Sequence, residues 1–306
     1  MSLQKLCYSF YVTGRFVLRR SGLIRLVKAL WPSFANIAAR FVYRVTIRGA
    51  RQPIVIQGHQ MILAPSGSYA SPDMVAGFYE PETTRLFSSL LKRGDSVIDI
   101  GAHVGYYTLL AARLVGPHGK VFAFEAEREN YGLLVENVRR NGYQNVVPVQ
   151  KAVTNRIGAC PLFLSSVDNG LHSLFRLGLP DQGSVMVETT TLDAFLEACR
   201  WPPIDVIKID VEGSETVVLE GMDQFLRRNG EVKLLIEFCP WIVETLQRGP
   251  TEFIDLLHSL GFKVEVIMPR GVVPLGQVNL TQLIDRLLLE RSYVNLFCTK
   301  QKSHED

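Results

Sequence analysis

The chain has 306 residues, 47% hydrophobic and 21% charged, enough to bury a substantial core as one α/β domain with extensions or as two domains. Its five cysteines (Cys7, Cys160, Cys199, Cys239, Cys298) are odd in number, scattered and never in CxxC spacing, which speaks against a disulfide framework and a zinc site and for a reducing, cytoplasmic setting. The net charge of +3 hides an asymmetry: residues 1–72 hold ten Lys/Arg and no Asp or Glu, leaving 23 basic and 30 acidic residues, a net −7, in residues 73–306.

A basic arm (1–72) therefore precedes an acidic body (73–306). Within the arm, RSGLIRLVKALWP (20–32) places Leu23, Val27, Leu30 and Trp31 on one helical face and Arg25 and Lys28 on another, with Pro32 as a stop. The spacing predicts a basic amphipathic helix. Three roles suit it: packing on the body, peripheral attachment to an anionic membrane surface, or service as an organellar transit segment. No uncharged apolar run in the arm approaches the roughly 18 residues that span a bilayer.

From residue 73 strands alternate with helices, the pattern of a parallel sheet covered on both faces. Strands are predicted at 96–100, 120–125, 146–150, 206–210, 233–238, 263–267 and 293–299, and helices at 106–114, 130–141, 191–198, 214–226 and 251–259. Two extra short strands, 160–166 and 184–190, flank a Gly-rich segment inserted before the fourth core strand. There is no internal repeat. The body reads as one domain of catalytic size.

The first strand runs into VIDIGAHVGYYT (97–108). A dinucleotide fingerprint needs three glycines as G-x-G-x-x-G, and this turn has only Gly101 and Gly105. A P-loop needs Lys and Ser/Thr after the last glycine, where Tyr106 and Tyr107 stand. What remains is D-x-G-x-x-x-G, opening at Asp99, with an acid, Glu125, ending the next strand. That combination suits S-adenosylmethionine: a carboxylate at 125 can accept both ribose hydroxyls, while Asp99 sits near the cationic end or fixes the loop.

On the acceptor side the richest polar cluster is KIDVEGSE (208–215). Lys208 and Asp210 alternate with apolar neighbours, which puts both on one face of a strand, Asp210 at the ligand-binding C-terminal edge. Asp210 is the first choice for acceptor positioning or general base, Lys208 its neutralising partner, and Glu212 lies just beyond. Glu215 reads as a helix-start residue. Glu237 ends the fifth strand, so Asp210, Glu212 and Glu237 could converge; without an accompanying His, no metal site is assigned. His172 and Ser173, in the inserted segment, would overhang the crevice. Thr190, Thr191 and Asp193 read as a helix N-terminus.

YEPET (79–83), DSVIDIGAHVGYYTLLAARL (95–114), KVFAFEAERENYGLLVENVRRN (120–141), VQKAVTN (149–155), TTTLDAFL (189–196), IDVIKIDVEGSE (204–215) and LLIEFCP (234–240) follow one another in an order that resembles the FkbM-type S-adenosylmethionine-dependent methyltransferases. The resemblance implies a Rossmann-like class I methyltransferase fold: a seven-stranded, mostly parallel sheet, the last strand antiparallel, with helices on both faces. It implies a cofactor pocket at Asp99, Gly101, Ala102, His103, Gly105 and Glu125, with Lys151 and Ala152 near the adenine and Glu80, beside Tyr79, closing over the cofactor. His103 departs from the family, which usually shows Asn there. The resemblance also implies methyl transfer to a hydroxyl of a small-molecule, glycan or lipid-linked acceptor rather than to nucleic acid. The alternatives are an N- or protein methyltransferase and a non-catalytic cofactor-binding scaffold at a membrane surface, the last opposed by the retention of Asp99, Glu125 and Asp210.

Overall fold

The computed structural model describes residues 53–64, 70–77 and 79–300. The amphipathic segment 20–32 and Cys7 lie outside the described residues. Among those described, no helix is long and apolar enough to cross a membrane.

By contact the chain divides into a unit ending at Tyr79, which also takes in residues 168–170, and a larger unit made of the rest from Glu80 onward. The smaller unit contains a hairpin of β1 (Ile54–Ile56) and β2 (His59–Met61), followed by α1 (Ala70–Ala76). Gln57 and Gly58 turn the hairpin with φ of 48° and 81°. Two consecutive positive φ values match the right-handed twist of the flanking strands.

The larger unit opens with α2 (Pro81–Leu90), β3 (Ser96–Ile100), α3 (Tyr106–Val115), β4 (Lys120–Phe124), α4 (Arg128–Arg140) and β5 (Val146–Val149). A small insertion follows, built of β6 (Ala152–Val153), β7 (Gly158–Ser165) and β8 (Asp181–Thr190). Then come α5 (Leu192–Ala198), β9 (Val206–Ile209), α6 (Glu215–Glu220), α7 (Asp223–Arg228), β10 (Val232–Phe238), α8 (Pro240–Thr245) and α9 (Pro250–Ser259). The chain closes with β11 (Lys263–Met268), β12 (Gly271–Pro274), α10 (Leu280–Glu290) and β13 (Val294–Lys300).

The main sheet has the order β12-β11-β13-β10-β9-β3-β4-β5. Neighbours from β10 to β5 are parallel, and β13 is antiparallel to both β10 and β11. The seven predicted core strands are all present, and the sheet has eight rather than seven because Gly271, at φ 125°, lets β12 fold back onto β11 as an edge strand. At the opposite edge β5 tolerates Pro148, whose missing N–H costs no ladder bond there. The two strands expected in the insertion pair with each other and, through β8, with β6 in a separate three-stranded sheet.

Both faces of the sheet are covered, so the strands read as near-continuous apolar runs. Ile98, Ile100, Ile207, Ile209, Leu234, Ile236, Phe238 and Leu296 share one core with α5, α6, α7, α9 and α10 through Leu192, Val218, Phe225, Leu257 and Leu287. Burying a side chain such as Phe225 or Phe238 contributes about 2–3 kcal/mol. The helix expected at 214–226 is two helices, broken at Gly221 and Met222. A Cβ at Gly221 would stand 2.0 Å from the Thr154 carbonyl oxygen, so the break accompanies a backbone approach that a helix of side chains would block. The N-terminus expected around Thr190–Asp193 is present: Thr191 Oγ1 accepts the Ala194 N–H at 3.0 Å, and the Asp193 carboxylate accepts the N–H groups of Gln224 and Phe225 at the start of α7. Helices α1, α8 and α10 are absent from the sequence-based expectation.

Candidate active site

The apolar strands carry a polar stripe of period two. Across the register, Asp99 of β3 lies beside Lys208 of β9, Lys208 beside Leu235 of β10, and Glu237 opposite Asn295 of β13. Since alternate side chains share a face, Asp99, Lys208, Asp210, Glu237, Asn295 and Tyr293 all belong to the side of the sheet away from the Ile98–Ile207–Ile236 core. Asp210, Glu237 and Tyr293 stand at one edge, the C-terminal ends of β9 and β10.

At the end of β3 the chain turns through residues 101–105. Gly101 and Gly105 have φ of 84° and 95°, which glycine alone adopts without strain. Space adds to the demand: a Cβ on Gly101 would lie 1.8 Å from the Asp210 carbonyl oxygen, and one on Gly105 2.8 Å from Leu134 Cδ1. Gly101 is thus required by the neighbouring strand end as well as by the turn. His103 also has a positive φ, 50°, in the left-handed region where Asn, Asp and His are the commonest non-glycine residues. That explains why His can stand where Asn is usual.

The His103 N–H donates to Glu125 Oε2 at 2.8 Å, and the Glu127 N–H donates to Oε1, also at 2.8 Å. Burial pushes the Glu125 carboxyl up to about 7, and these backbone donors only partly offset it. A partner offering two more hydroxyl donors would be well received there. Lys151 reaches this edge by its main chain, its N–H and that of Glu125 both donating to the Val149 carbonyl at 3.0 and 3.1 Å. The Lys151 side chain turns away to Glu188, 3.2 Å from it, and Ala152 is buried in the small sheet beside Thr189. Ala102 is buried within the loop.

Asp99 lies beneath the loop. Only 1% exposed, it accepts the Thr108 hydroxyl at 2.6 Å, a bond that ties β3 to the first turn of α3. Burial raises its pKa and the nearby Lys208 charge opposes this.

Lys208 is 2% exposed. Its ammonium lies 2.7 Å from Asp210 Oδ2 and 4.6 Å from the centre of the Tyr107 ring. Burial alone would neutralise it, but the negative charges of Asp210, Glu80 and Asp99 hold it firmly protonated. The sequence placed Lys208 with Asp210 on one strand face, and the structure makes the two a pair with the lysine beneath.

Asp210 is drawn both ways. Burial favours its neutral form, yet the Lys208 charge and hydrogen bonds from Glu237 and Lys208 outweigh this and hold it below the usual carboxylate range. Glu237, 6% exposed, is pushed well up by burial and by the charges of Glu212 and Asp210. The charge on Asp210 thus favours the protonated form of Glu237. Glu212, at φ 49°, completes a group in which one oxygen from each of Asp210, Glu212 and Glu237 lies within 4.8 Å of the others. Their convergence is as the sequence suggested. Glu215, at the start of α6 as expected, accepts the Val211 N–H at 3.2 Å, and burial raises it to about 7. A narrow recess beside Glu237 is lined by Glu215, Thr216, Cys239, Arg248 and Phe253.

Glu80 caps α2 at φ 40° and accepts the Tyr107 hydroxyl at 2.6 Å and the Asn295 amide at 2.7 Å. Its charge is the main reason that the Tyr293 phenol titrates far above the ordinary range, with burial adding to the effect. The Tyr107 phenol is raised as well, by burial first and Glu80 second. Tyr293 and Asn295 are the two residues that sequence reading missed. The available signal was an Asn in an otherwise apolar strand, YVNLF, in phase with the period-two stripe. Tyr79 belongs to the smaller unit. In the insertion, His172 Nδ1 accepts the Ser165 N–H at 3.0 Å, and the Ser173 hydroxyl donates to the Glu212 carbonyl at 2.7 Å. Ser173 thus fastens the insertion to the strand-end loop, while His172 braces the insertion internally.

A family model, the methyltransferase FkbM domain, matches residues 99–264, more than half the chain. The hexuronic acid methyltransferase AglP of Haloferax volcanii is 28% identical over 149 residues, 48% of this chain and 58% of that protein. A protein-L-isoaspartate O-methyltransferase of Aeropyrum pernix is 43% identical over 136 residues, 43% of this chain and 46% of that protein. The chain thus spans about half the length of these relatives. Among solved structures, an S-adenosylmethionine-dependent O-methyltransferase of Thermotoga maritima is 17% identical, with 87% of this chain and 83% of that chain covered and a TM-score of 0.43. The family-model match over residues 99–264 shows that the chain belongs to the methyltransferase FkbM domain family, a family of S-adenosylmethionine-dependent methyltransferases.

Proposed function

We propose that this protein transfers a methyl group from S-adenosylmethionine to a hydroxyl of a carbohydrate, in free or lipid-linked form. The observation that carries the reading is the Asp210–Glu237 pair, held over a buried Lys208 at the strand ends next to the glycine loop. The residues present fit the cofactor. Gly101 and Gly105 let the backbone make its positive-φ turn at the strand end, and Glu125 has an under-solvated carboxylate suited to a diol.

When bound, S-adenosylmethionine supplies an electrophilic methyl group on a sulfonium, ready for in-line displacement. The chain's own work is alignment and proton handling. Asp210, kept ionised by Lys208, accepts the hydrogen bond of an acceptor hydroxyl and orients its oxygen. As the hydroxyl loses its proton, Asp210 is the base in reach, with its charge shared by Glu237 and Lys208. Glu212 receives a neighbouring hydroxyl. Glu125 would hold the ribose, and Glu80 acts at one remove by fixing Tyr107 and Asn295. The hexuronic acid methyltransferase among the relatives favours a sugar acceptor.

The test is transfer of tritiated methyl groups from S-adenosylmethionine to hexose and hexuronic acid oligosaccharides. Label retained in a sugar after mild base, which releases methyl esters and spares methyl ethers, is expected. Label released by base, or found only in protein, would contradict the reading. The basic arm is assigned to an anionic membrane surface, on its charge and the amphipathic pattern at 20–32. Anionic liposomes should pellet the full chain and not a chain lacking residues 1–50.

A further inference from the structure

Tyr293 is unusual among the aromatic side chains. Of the large apolar residues exposed among those described, it is the one aromatic, 43% exposed. It immediately precedes β13, where Val294 pairs with Phe238 and Asn295 with Glu237, so it stands at the sheet edge that carries Asp210 and Glu237. Two residues from Asn295, it shares that residue's side of the strand, the side on which Asn295 bonds Glu80 at 2.7 Å. Its hydroxyl lies in the field of the same Glu80 carboxylate. The ring is therefore partly open to solvent at the edge that carries three carboxyl groups with an oxygen of each within 4.8 Å of the others.

A tyrosine ring has only two side-chain torsions, so little further conformational entropy is lost when something packs on it. A pyranose ring matches this surface, because its axial C–H groups make an apolar face and its hydroxyls project from the rim. Neighbouring carboxyl groups suit several adjacent hydroxyls better than the single hydroxyl of a phenol. We infer that the open face of Tyr293 is the platform that seats a pyranose ring of the acceptor, with the reacting hydroxyl directed to Asp210. This rests on the hydroxyl-directed reading above and adds the residue that selects a ring. Tyr293 then governs acceptor binding and leaves cofactor binding to the opposite end of the cleft.

The test uses the full chain, wild type and variants, with tritiated S-adenosylmethionine and two acceptors, a hexuronic acid disaccharide and the acyclic polyol mannitol. The wild type should prefer the disaccharide. Tyr293→Ala should raise the disaccharide KM about tenfold, with kcat and the Kd for S-adenosylhomocysteine unchanged within about twofold. Tyr293→Phe, which keeps the ring, should hold KM within about twofold. Should the alanine variant fail to fold, Tyr293→Leu, of similar bulk without an aromatic face, gives the same reading. An unchanged KM in Tyr293→Ala, a parallel loss of S-adenosylhomocysteine binding, or equal use of mannitol by the wild type would overturn the assignment while leaving the proposed activity standing. A wild type that binds S-adenosylhomocysteine and methylates neither acceptor would overturn both.

Discussion

The two halves of the cleft are built from different materials. At the ends of β3, β4 and β5 the work is done by main chain: two glycines at positive φ, the His103 and Glu127 N–H groups on Glu125, and a loop packed against the Asp210 carbonyl. At the ends of β9, β10 and β13 it is done by side chains: a buried ammonium, the neighbouring carboxyls of Asp210 and Glu237, and a phenol beside them. Backbone geometry holds a constant ligand in one pose. Charged side chains can be exchanged while the fold stays the same, so the acceptor half is where one family can accommodate different substrates.

The sharpest way to break this division is Asp210→Asn. It should lower kcat at least about a hundredfold while the S-adenosylhomocysteine Kd stays within about twofold, measured by methyl transfer and calorimetry respectively. Next in size is Gly101→Ala. It meets both a positive φ and a 1.8 Å approach to the Asp210 carbonyl oxygen, and should cost about 3 kcal/mol in urea unfolding. If Gly101→Ala kept full stability, the backbone would be less constrained than described.

Glu125→Gln should weaken S-adenosylhomocysteine about tenfold or more at pH 8, since a hydrogen-bonded charge contributes about 1.5–3 kcal/mol. The wild type should lose affinity towards acid. With the Glu125 pKa raised to about 7, the carboxylate that accepts the diol is only about one-tenth ionised at pH 6, so affinity should fall through pH 7, with proton release on binding below it. Folding takes the opposite sign. A carboxyl raised from 4.5 to about 7 in the folded state makes that state bind the extra proton, so its contribution to stability falls as pH rises through that window. In Glu125→Gln both dependences should flatten, apart from what Glu215, raised similarly, adds to stability.

The smallest effect is expected for His103→Asn. The bond to Glu125 comes from the main chain, and Asn is at ease at a φ of 50°, so kcat/KM should move less than about twofold. A larger loss would show that the imidazole, whose charge would help hold Asp210 ionised, takes part in the acceptor half.

This contrast also decides what was legible in the sequence. The glycine spacing, Asp99 and Glu125 are close along the chain and stand on consecutive strands, so a local pattern carries them. Lys208 and Asp210 were visible for the same reason, as polar residues alternating within one apolar strand. Tyr293 and Asn295 were not, because they reach Glu80 and Glu237 only after β13 inserts antiparallel between β10 and β11. A long-range pairing leaves no trace in spacing. The fold was more readable than the site, since alternation and apolar runs report strands wherever they lie. The exceptions were a helix broken by a backbone approach at Gly221 and an edge hairpin at Gly271, both set by neighbours distant in sequence.

The most direct test of the division is one calorimetric series, titrating S-adenosylhomocysteine into the wild type, Glu125→Gln and Asp210→Asn at pH 8. Binding by the wild type, a loss of about tenfold or more in Glu125→Gln and near-wild-type affinity in Asp210→Asn is the expected result. No heat from the wild type at millimolar S-adenosylhomocysteine, or an equal loss in both variants, would contradict it.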